Sequence, residues 1–442
     1  MELISPGEKI KKLRQELGLK QQEITNGKVS KSLISMIEKN KRGLTWSTAI
    51  IIAECLNKYY EIMGKNITAE FLMETEMDCA KKEVKEEINL IQNLMDSGDV
   101  NAKLVTLSFE KAMDLVKKWD MKQELMEIQL LRGKFYYHTY QYNKALEEAS
   151  HVLEYFLEAR DYNQVAFTYN LMGASYYMNM MMEQALTYYT RFYNTVIEHN
   201  ITNKAKLKLE AIFNLVICYR KIHRYDMALQ YINMFKEVDW NDSIFHSYQN
   251  QLMLVEANTY RDLKNYEKAE RLYDKLLKKV EGLDKNTSFL VYDNLTILHM
   301  EQGKIDKALE FVKMAFLIKD GVRTDYIPWI FITKAKCLIM LGKFNEALDI
   351  LKDGLQLAEG ISENEMSIDF QFTLAQAYIT VKDYGSALQH LQEVEKIIID
   401  NDIKLKKNDL YGFYIEVYLG LDEKEKSVAY AIKMRRDYLA VQ

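Results

Sequence analysis

The sequence predicts an all-α chain in which an N-terminal helix-turn-helix head precedes an array of helical hairpins. Three observations carry that reading. Only two prolines, Pro6 and Pro328, and 17 glycines interrupt 442 residues, so helix breakers are scarce. Alanines recur about every 40 residues from Ala145 to Ala387. Residues 20–38 read as two short helices joined by a Gly-containing turn.

In the head, Ser5-Pro6-Gly7-Glu8 reads as a cap, a first helical residue and a capping-box partner. Apolar spacing predicts helix one from about Pro6 to Leu17 with Ile10, Leu13 and Leu17 inward. Helix two runs about Lys20 to Asn26 around Ile24. Helix three runs from Ser30 to near Lys39 around Ile34 and Ile37. Helix four, about Thr45 to Leu56, carries Trp46, Ile50, Ala53 and Leu56. Arg14 and Glu38 are expected to pair between helices one and three. Small polar and basic side chains open helix three, which suits a helix end entering a DNA major groove.

Residues 1–66 carry 12 Lys/Arg against 7 Asp/Glu, whereas the remainder carries 47 against 57. A basic head suits phosphate contact; an acidic body does not bind nucleic acid unaided. Met63-Gly64-Lys65-Asn66 breaks the helical pattern, and Thr68 to about Met95 reads as a linker helix. The expected domains are therefore 1–66 for the head, 67–100 for the linker and 101–442 for the repeat body.

In the body, Ala145, Ala185, Ala228, Ala269, Ala308, Ala347 and Ala387 lie 39 to 43 residues apart, and Ser427 marks a degenerate eighth unit. Twelve residues before them come mostly small residues: Gly133, Gly173, Val216, Ala257, Thr296, Ala335 and Ala375. Nine before stands tyrosine in five units, with His299 and Leu338 departing. Small-xx-Tyr on a first helix and aromatic-xx-Ala-Leu on a second is the tetratricopeptide pattern, here with longer units than the usual 34. Stacking such hairpins gives a right-handed superhelix whose concave wall is lined by the first helices. Inward positions on these helices include Asn170, Tyr177, Asn214, Arg220, Asn258, Arg261 and Asn294. Asparagine can donate to and accept from a peptide backbone, and arginine can fork onto a carboxylate. The alternative is that these side chains bridge neighbouring helices or face water. Met178-Asn179-Met180-Met181-Met182 reads as an adaptable apolar patch or as a turn packed on a neighbour.

The run Leu13-Arg14…Leu19-Lys20-Gln21-Gln22-Glu23-Ile24…Val29-Ser30…Ile34-Ser35-Met36-Ile37-Glu38-Lys39-Asn40-Lys41-Arg42 resembles the Xre/Cro repressor-type helix-turn-helix. Its narrower form, Ile24-Thr25-x-Gly27-x-Val29-Ser30-x-Ser32-x-Ile34-Ser35-x-Ile37-Glu38, is similar to the head of the peptide-responsive regulators of Gram-positive bacteria. That is the Rgg/NprR/PlcR/PrgX group, which includes the Rap proteins, and the long repeats resemble it too. The resemblance implies that Gln21 and Gln22 contact DNA backbone and base edges. Ser30, Lys31, Ser32 and Ser35 then face the groove, and Lys41 and Arg42 hold phosphates. The bland alternative makes Ser30 a helix cap and Lys31 a solvated charge. By the same resemblance, the first-helix asparagines bind a short imported signalling peptide, and some members dephosphorylate response regulators.

Seven histidines are dispersed without paired-ligand spacing, and four cysteines form no CxxC pair. No phosphate loop or dinucleotide fingerprint occurs. No cofactor, metal or catalytic residue is expected. No apolar run reaches the ~18–20 residues a membrane span needs, and no signal peptide is evident. The expected function is a cytoplasmic quorum-sensing transcription regulator that binds operator DNA as a homodimer, joined through its C-terminal repeats, under peptide control. A module that sequesters or dephosphorylates a response regulator is the alternative.

Overall fold

The computed structural model describes residues 5–96, 102–237, 243–361 and 363–440. No strand occurs among them. The chain divides into two compact units, Met1–Arg132 and Gly133–Gln442.

The first unit opens with α1 (Pro6–Glu16), a 3-10 turn (Gln21–Ile24), α2 (Lys31–Glu38) and α3 (Trp46–Tyr60). The Ser5–Glu8 capping box forms. Ile10, Ile24, Ile34, Ile37, Ile52 and Leu56 close a core with essentially no exposure. Helix two shrinks to the 3-10 turn because side chains take over its backbone groups. The Glu23 carboxylate accepts from the Lys20 N–H, and the Thr25 hydroxyl donates to the Gln22 carbonyl at 2.8 Å. Asn26 and Gly27 then adopt left-handed φ of 49° and 67°, which ends the turn. Trp46 and Ile50, expected inward, are exposed by 50% and 39%. The buried stripe of α3 runs through Ala49, Ile52, Ala53 and Leu56 instead, so only the later half of the expected phase is realised.

The stretch expected as one linker helix is two: α4 (Ala69–Met73) and α5 (Glu76–Asp96), the latter packed on α6 (Ala102–Lys118). Buried Lys9 explains the break. Its ammonium donates to the carbonyls of Phe71 and Glu74 at 3.1 and 3.0 Å, satisfying the end of α4. Thr75 and Asp78 then cap a new start, with Asp78 accepting from the Thr75 N–H at 2.9 Å.

Among the described residues eight hairpins follow, and the boundary between the units lies inside α7. They are α7 (Lys122–His138) with α8 (Tyr142–Glu158), α9 (Tyr162–Met178) with α10 (Met182–Glu198), and α11 (Lys204–Lys221) with α12 (Tyr225–Lys236). Next come α13 (Ser243–Asp262) with α14 (Tyr266–Leu277), α15 (Lys285–Glu301) with α16 (Ile305–Ile318), and α17 (Ile327–Met340) with α18 (Phe344–Leu357). The last are α19 (Asn364–Thr380) with α20 (Tyr384–Asp400) and α21 (Lys407–Gly420) with α22 (Lys424–Ala440). All seven repeat alanines are fully buried. Ser427 takes the same place in the eighth hairpin, where it is buried and donates to the Ile415 carbonyl at 3.4 Å.

In four repeats the aromatic mark has a ring partner three residues after the alanine. Tyr176 stacks on Tyr188 at 5.4 Å, Tyr219 on Tyr231 at 5.5 Å, and Tyr378 on His390 at 5.5 Å. His299, which departs from tyrosine, keeps the pattern by stacking on Phe311 at 5.4 Å. Flat rings fasten these four hairpins where their helices cross.

Candidate nucleic-acid interface and ligand groove

In the first unit, α2 presents its N-terminal end to solvent. Ser30 caps it, its hydroxyl accepting from the Leu33 N–H at 3.2 Å while lying 2.9 Å from the Ser32 hydroxyl. Lys31 and Ser32 are exposed, Ser35 is half-buried, and Lys28, Lys41 and Arg42 stand exposed nearby in sequence. None of these four cations makes a hydrogen bond or ion pair with another described residue. Gln22 is exposed. Gln21 is half-buried, and its amide donates to Glu38 at 2.9 Å.

The same Glu38 receives Arg14 through both oxygens, at 2.6 and 2.9 Å, and Arg14 also donates to the Leu19 carbonyl at 2.6 Å. Burial opposes charge on Glu38, yet the Arg14 and Gln21 hydrogen bonds outweigh it and hold the carboxyl below its usual range. This pair locks α1 to α2 and fixes the angle at which α2 is presented.

In the second unit, the residues expected on the concave wall form a ladder between successive first helices. Asn170 donates to Glu210 at 2.7 Å, and Asn214 donates to Asn170 at 2.9 Å. Asp262 accepts from Arg220 at 2.9 Å and from Arg261 at 3.0 Å; Arg261 also donates to Asn294 at 3.0 Å. Asn258 is buried and accepts from the Tyr273 hydroxyl of its own hairpin. Arg261 is also buried, whereas Asn170, Asn214, Arg220 and Asn294 keep partial exposure. Tyr177 packs, with buried Met180 and Met182, in a cluster containing Ile368 and Phe372. The methionine-rich segment is thus a packed turn, its reversal made by Met180 at φ 60°.

An open groove of about 690 Å³ lies further along the repeats, lined from α15, α17, α19, α21 and α22. Phe372 stacks on Phe413 at 4.9 Å in its wall, and Met300, Ile339, Met340 and Met434 add apolar surface. Lys336, Asp369, Gln376, Lys406, Asp409 and Glu416 add polar groups, with Lys406 paired to Asp369 at 3.1 Å. Sequence reasoning missed all of these. The signal was present: Lys336, Gln376 and Glu416 stand eleven residues before their repeat marks, as Asn258 does, and Met300 and Ile339 stand eight before, as Arg220 and Arg261 do. The phase found in the early repeats continues unchanged through the last ones.

Among the described residues no group of three His, Cys, Asp or Glu side chains is placed to hold a metal ion. No described helix is long and apolar enough to cross a membrane.

Known proteins resemble both parts. Residues 10–62 match the helix-turn-helix family model. Regulatory protein RapD of Bacillus subtilis (strain 168) is 23% identical over 268 residues, which are 55% of this chain and 75% of that protein. Response regulator aspartate phosphatase E of the same organism is 24% identical over 200 residues, 44% of this chain and 52% of that protein. The structure of NprR in complex with its cognate peptide NprX shares the fold over 82% of this chain and 98% of that one, with a TM-score of 0.50 and 14% identity. The chain thus joins a helix-turn-helix to repeats of the kind found in Rap and NprR proteins.

Proposed function

We propose that this protein is a transcription regulator whose helix-turn-helix binds operator DNA and whose repeat groove takes a short peptide that controls the binding. The observation that carries the reading is the solvent-open start of α2, where Lys31 and Ser32 are exposed beside the Ser30 cap. Short hydroxyls let a helix approach base edges closely, and unpaired cations are available to phosphates. Ser30, Lys31, Ser32 and Ser35 face the major groove; Gln22 and the free carbonyl of the Gln21 amide reach backbone and base edges, and Lys41 and Arg42 hold flanking phosphates. The peptide lies in the groove of the last four hairpins. Asn170, Asn214, Arg220 and Asn294 form its upstream edge, while Asn258, Arg261 and Tyr177 support the wall behind it.

The regulator acts as a homodimer joined through its last hairpin. Val428 and Ile432, one turn apart on α22, are 58% and 54% exposed, an apolar pair open to solvent that suits a partner face. A gel-shift assay with promoter DNA near the gene, run at low salt with and without candidate peptides, tests the whole reading. A shift that responds to peptide supports it; no shift under any condition overturns it.

A second reading, action on a response regulator, draws support from the likeness to aspartate phosphatase E. Retention of a phosphorylated receiver domain, or its dephosphorylation, by this protein would favour it.

A further inference from the structure

We propose that the groove reads both ends of its peptide: Lys336 receives the C-terminal carboxylate and Glu416, with Asp409, the N-terminal amine, so only one direction of binding is allowed. The inference rests on the peptide-receptor reading and gives it a direction and a length.

Lys336, Gln376 and Glu416 occupy one register position on α17, α19 and α21. They form a row of cation, neutral amide and anion along the stack. None of the three side chains makes a hydrogen bond or ion pair with a described residue, and each lines the groove. The other pair of opposite charges in the lining, Lys406 and Asp369, is matched internally at 3.1 Å. Lys336 has Asp369 and the buried Asp293 as electrostatic neighbours, but neither comes within ion-pair distance. Its ammonium therefore keeps its donors for a ligand. At the opposite side, Asp409 and Glu416 are exposed on α21, one above the other, and lack a cation.

Packed helices lie 8–10 Å apart, so α17 and α21 are separated by roughly 20 Å across α19. An extended chain advances about 3.3 Å per residue, so about six residues span that distance. Gln376 stands midway, able to donate to and accept from one backbone unit whatever the side chain there. Phe372 and Phe413 offer a stacked aromatic surface under the middle of such a chain. The occupant is therefore an extended peptide of about six residues with free termini and bulky apolar central side chains. A reversed peptide would set like charge against both ends of the row, and a blocked one would leave Lys336 or the Glu416–Asp409 pair without its counter-charge.

The test uses the full-length protein and a random hexapeptide library in three forms: free termini, N-acetylated and C-amidated. Bound peptides are separated by size exclusion and counted by mass spectrometry. Retention of free-ended peptides at least tenfold above either blocked form is expected. Lys336→Glu should abolish the preference for a free carboxylate, and Lys336→Met should weaken it. Lys336→Glu combined with Glu416→Lys should restore binding of free-ended peptides with a different selected sequence. Lys336→Glu sets an anion beside Asp369 and Asp293 and should lower the melting temperature. Lys336→Met makes no such contact and Glu416 has no internal partner, so Lys336→Met and Glu416→Lys should melt near the wild type and separate a lost site from a lost fold. Equal retention of free and blocked peptides would overturn the directional proposal and leave the peptide receptor standing. Retention of no peptide in any form would overturn both.

Discussion

Lys221, the last residue of α11, is ion-paired with Glu365 in the first turn of α19, which ties the third hairpin directly to the seventh. Both side chains are largely buried. Around them the acidic groups Glu363, Glu365 and Asp325 crowd together, and burial, reinforced by Glu365 and Asp325, pushes the Glu363 carboxyl up to about 8. The start of α19 thus reaches α11, four hairpins back along the array.

A pH dependence follows from Glu363. Its carboxyl titrates near 8 when folded and near 4.3 when unfolded, so between those values the folded state holds more protons. Stability is fully present below pH about 4.3 and declines as pH rises towards 8. Urea unfolding at pH 5.5 and 8 should show this decline, and Glu363→Gln should flatten it while stabilising the protein at pH 8. An unchanged slope in that variant would refute the assignment.

Truncating Lys221 should also cost stability, because Glu365 would lose its counter-charge beside Glu363. A loss on the order of 1–3 kcal/mol is expected for Lys221→Ala in chemical unfolding. The double variant with Glu365→Gln should be closer to wild type than the single one. Additive losses would show that the two residues do not act as a pair.

Arg14 and Glu38 make the corresponding contact in the first unit, with side-chain exposures of 12% and 3%. Arg14→Ala leaves a buried carboxylate unpaired and should cost about 3 kcal/mol. The Glu38 carboxyl is depressed in the folded state; its contribution is therefore present above the unfolded value near 4.3 and lost as pH falls through the folded one. Thermal melts of the wild type and Arg14→Ala should converge as pH drops below 4. Lost DNA binding in Arg14→Ala at unchanged melting temperature would contradict the structural role.

Much of this was legible locally. The Ser5–Glu8 box, the Ser30 cap, the Arg14–Glu38 pair and the alanine phase all depend on spacing within a helix or a hairpin. What escaped depends on groups far apart in sequence or on side chains competing for backbone. The Lys221–Glu365 contact joins residues 144 apart, a separation no periodicity reports. Thr25 and Glu23 convert a predicted α-helix into a 3-10 turn, and Lys9 splits α4 from α5 by bonding carbonyls over 60 residues away. The groove was hidden differently: its phase was readable, but asparagine and arginine in the early repeats looked like the ligand-facing groups, and there they bond one another.

Gly173 tests the packing logic of the repeat. A Cβ placed there would lie 2.6 Å from the ring of Tyr189, which is buried on α10. Gly173→Ala should therefore cost about 1–3 kcal/mol through overpacking, read as a lowered melting temperature. Tyr189→Leu combined with it should lose less than the sum of the two single changes. Strict additivity would mean that the ring and the glycine do not share a contact.

Lys31 is the sharpest test of the DNA-binding face, because it is exposed and without an internal partner. Lys31→Ala should leave the melting temperature unchanged and weaken operator binding. If Lys31 holds a phosphate, binding to all sequences should weaken about equally and the slope of log affinity against log salt should fall by about 1. If it reads a base edge, the loss should instead concentrate on the operator, by about 1–3 kcal/mol, and relax the preference at one base pair. Fluorescence anisotropy with operator and scrambled duplexes at several salt concentrations separates the two. Unaltered affinity for both duplexes would remove α2 from the interface.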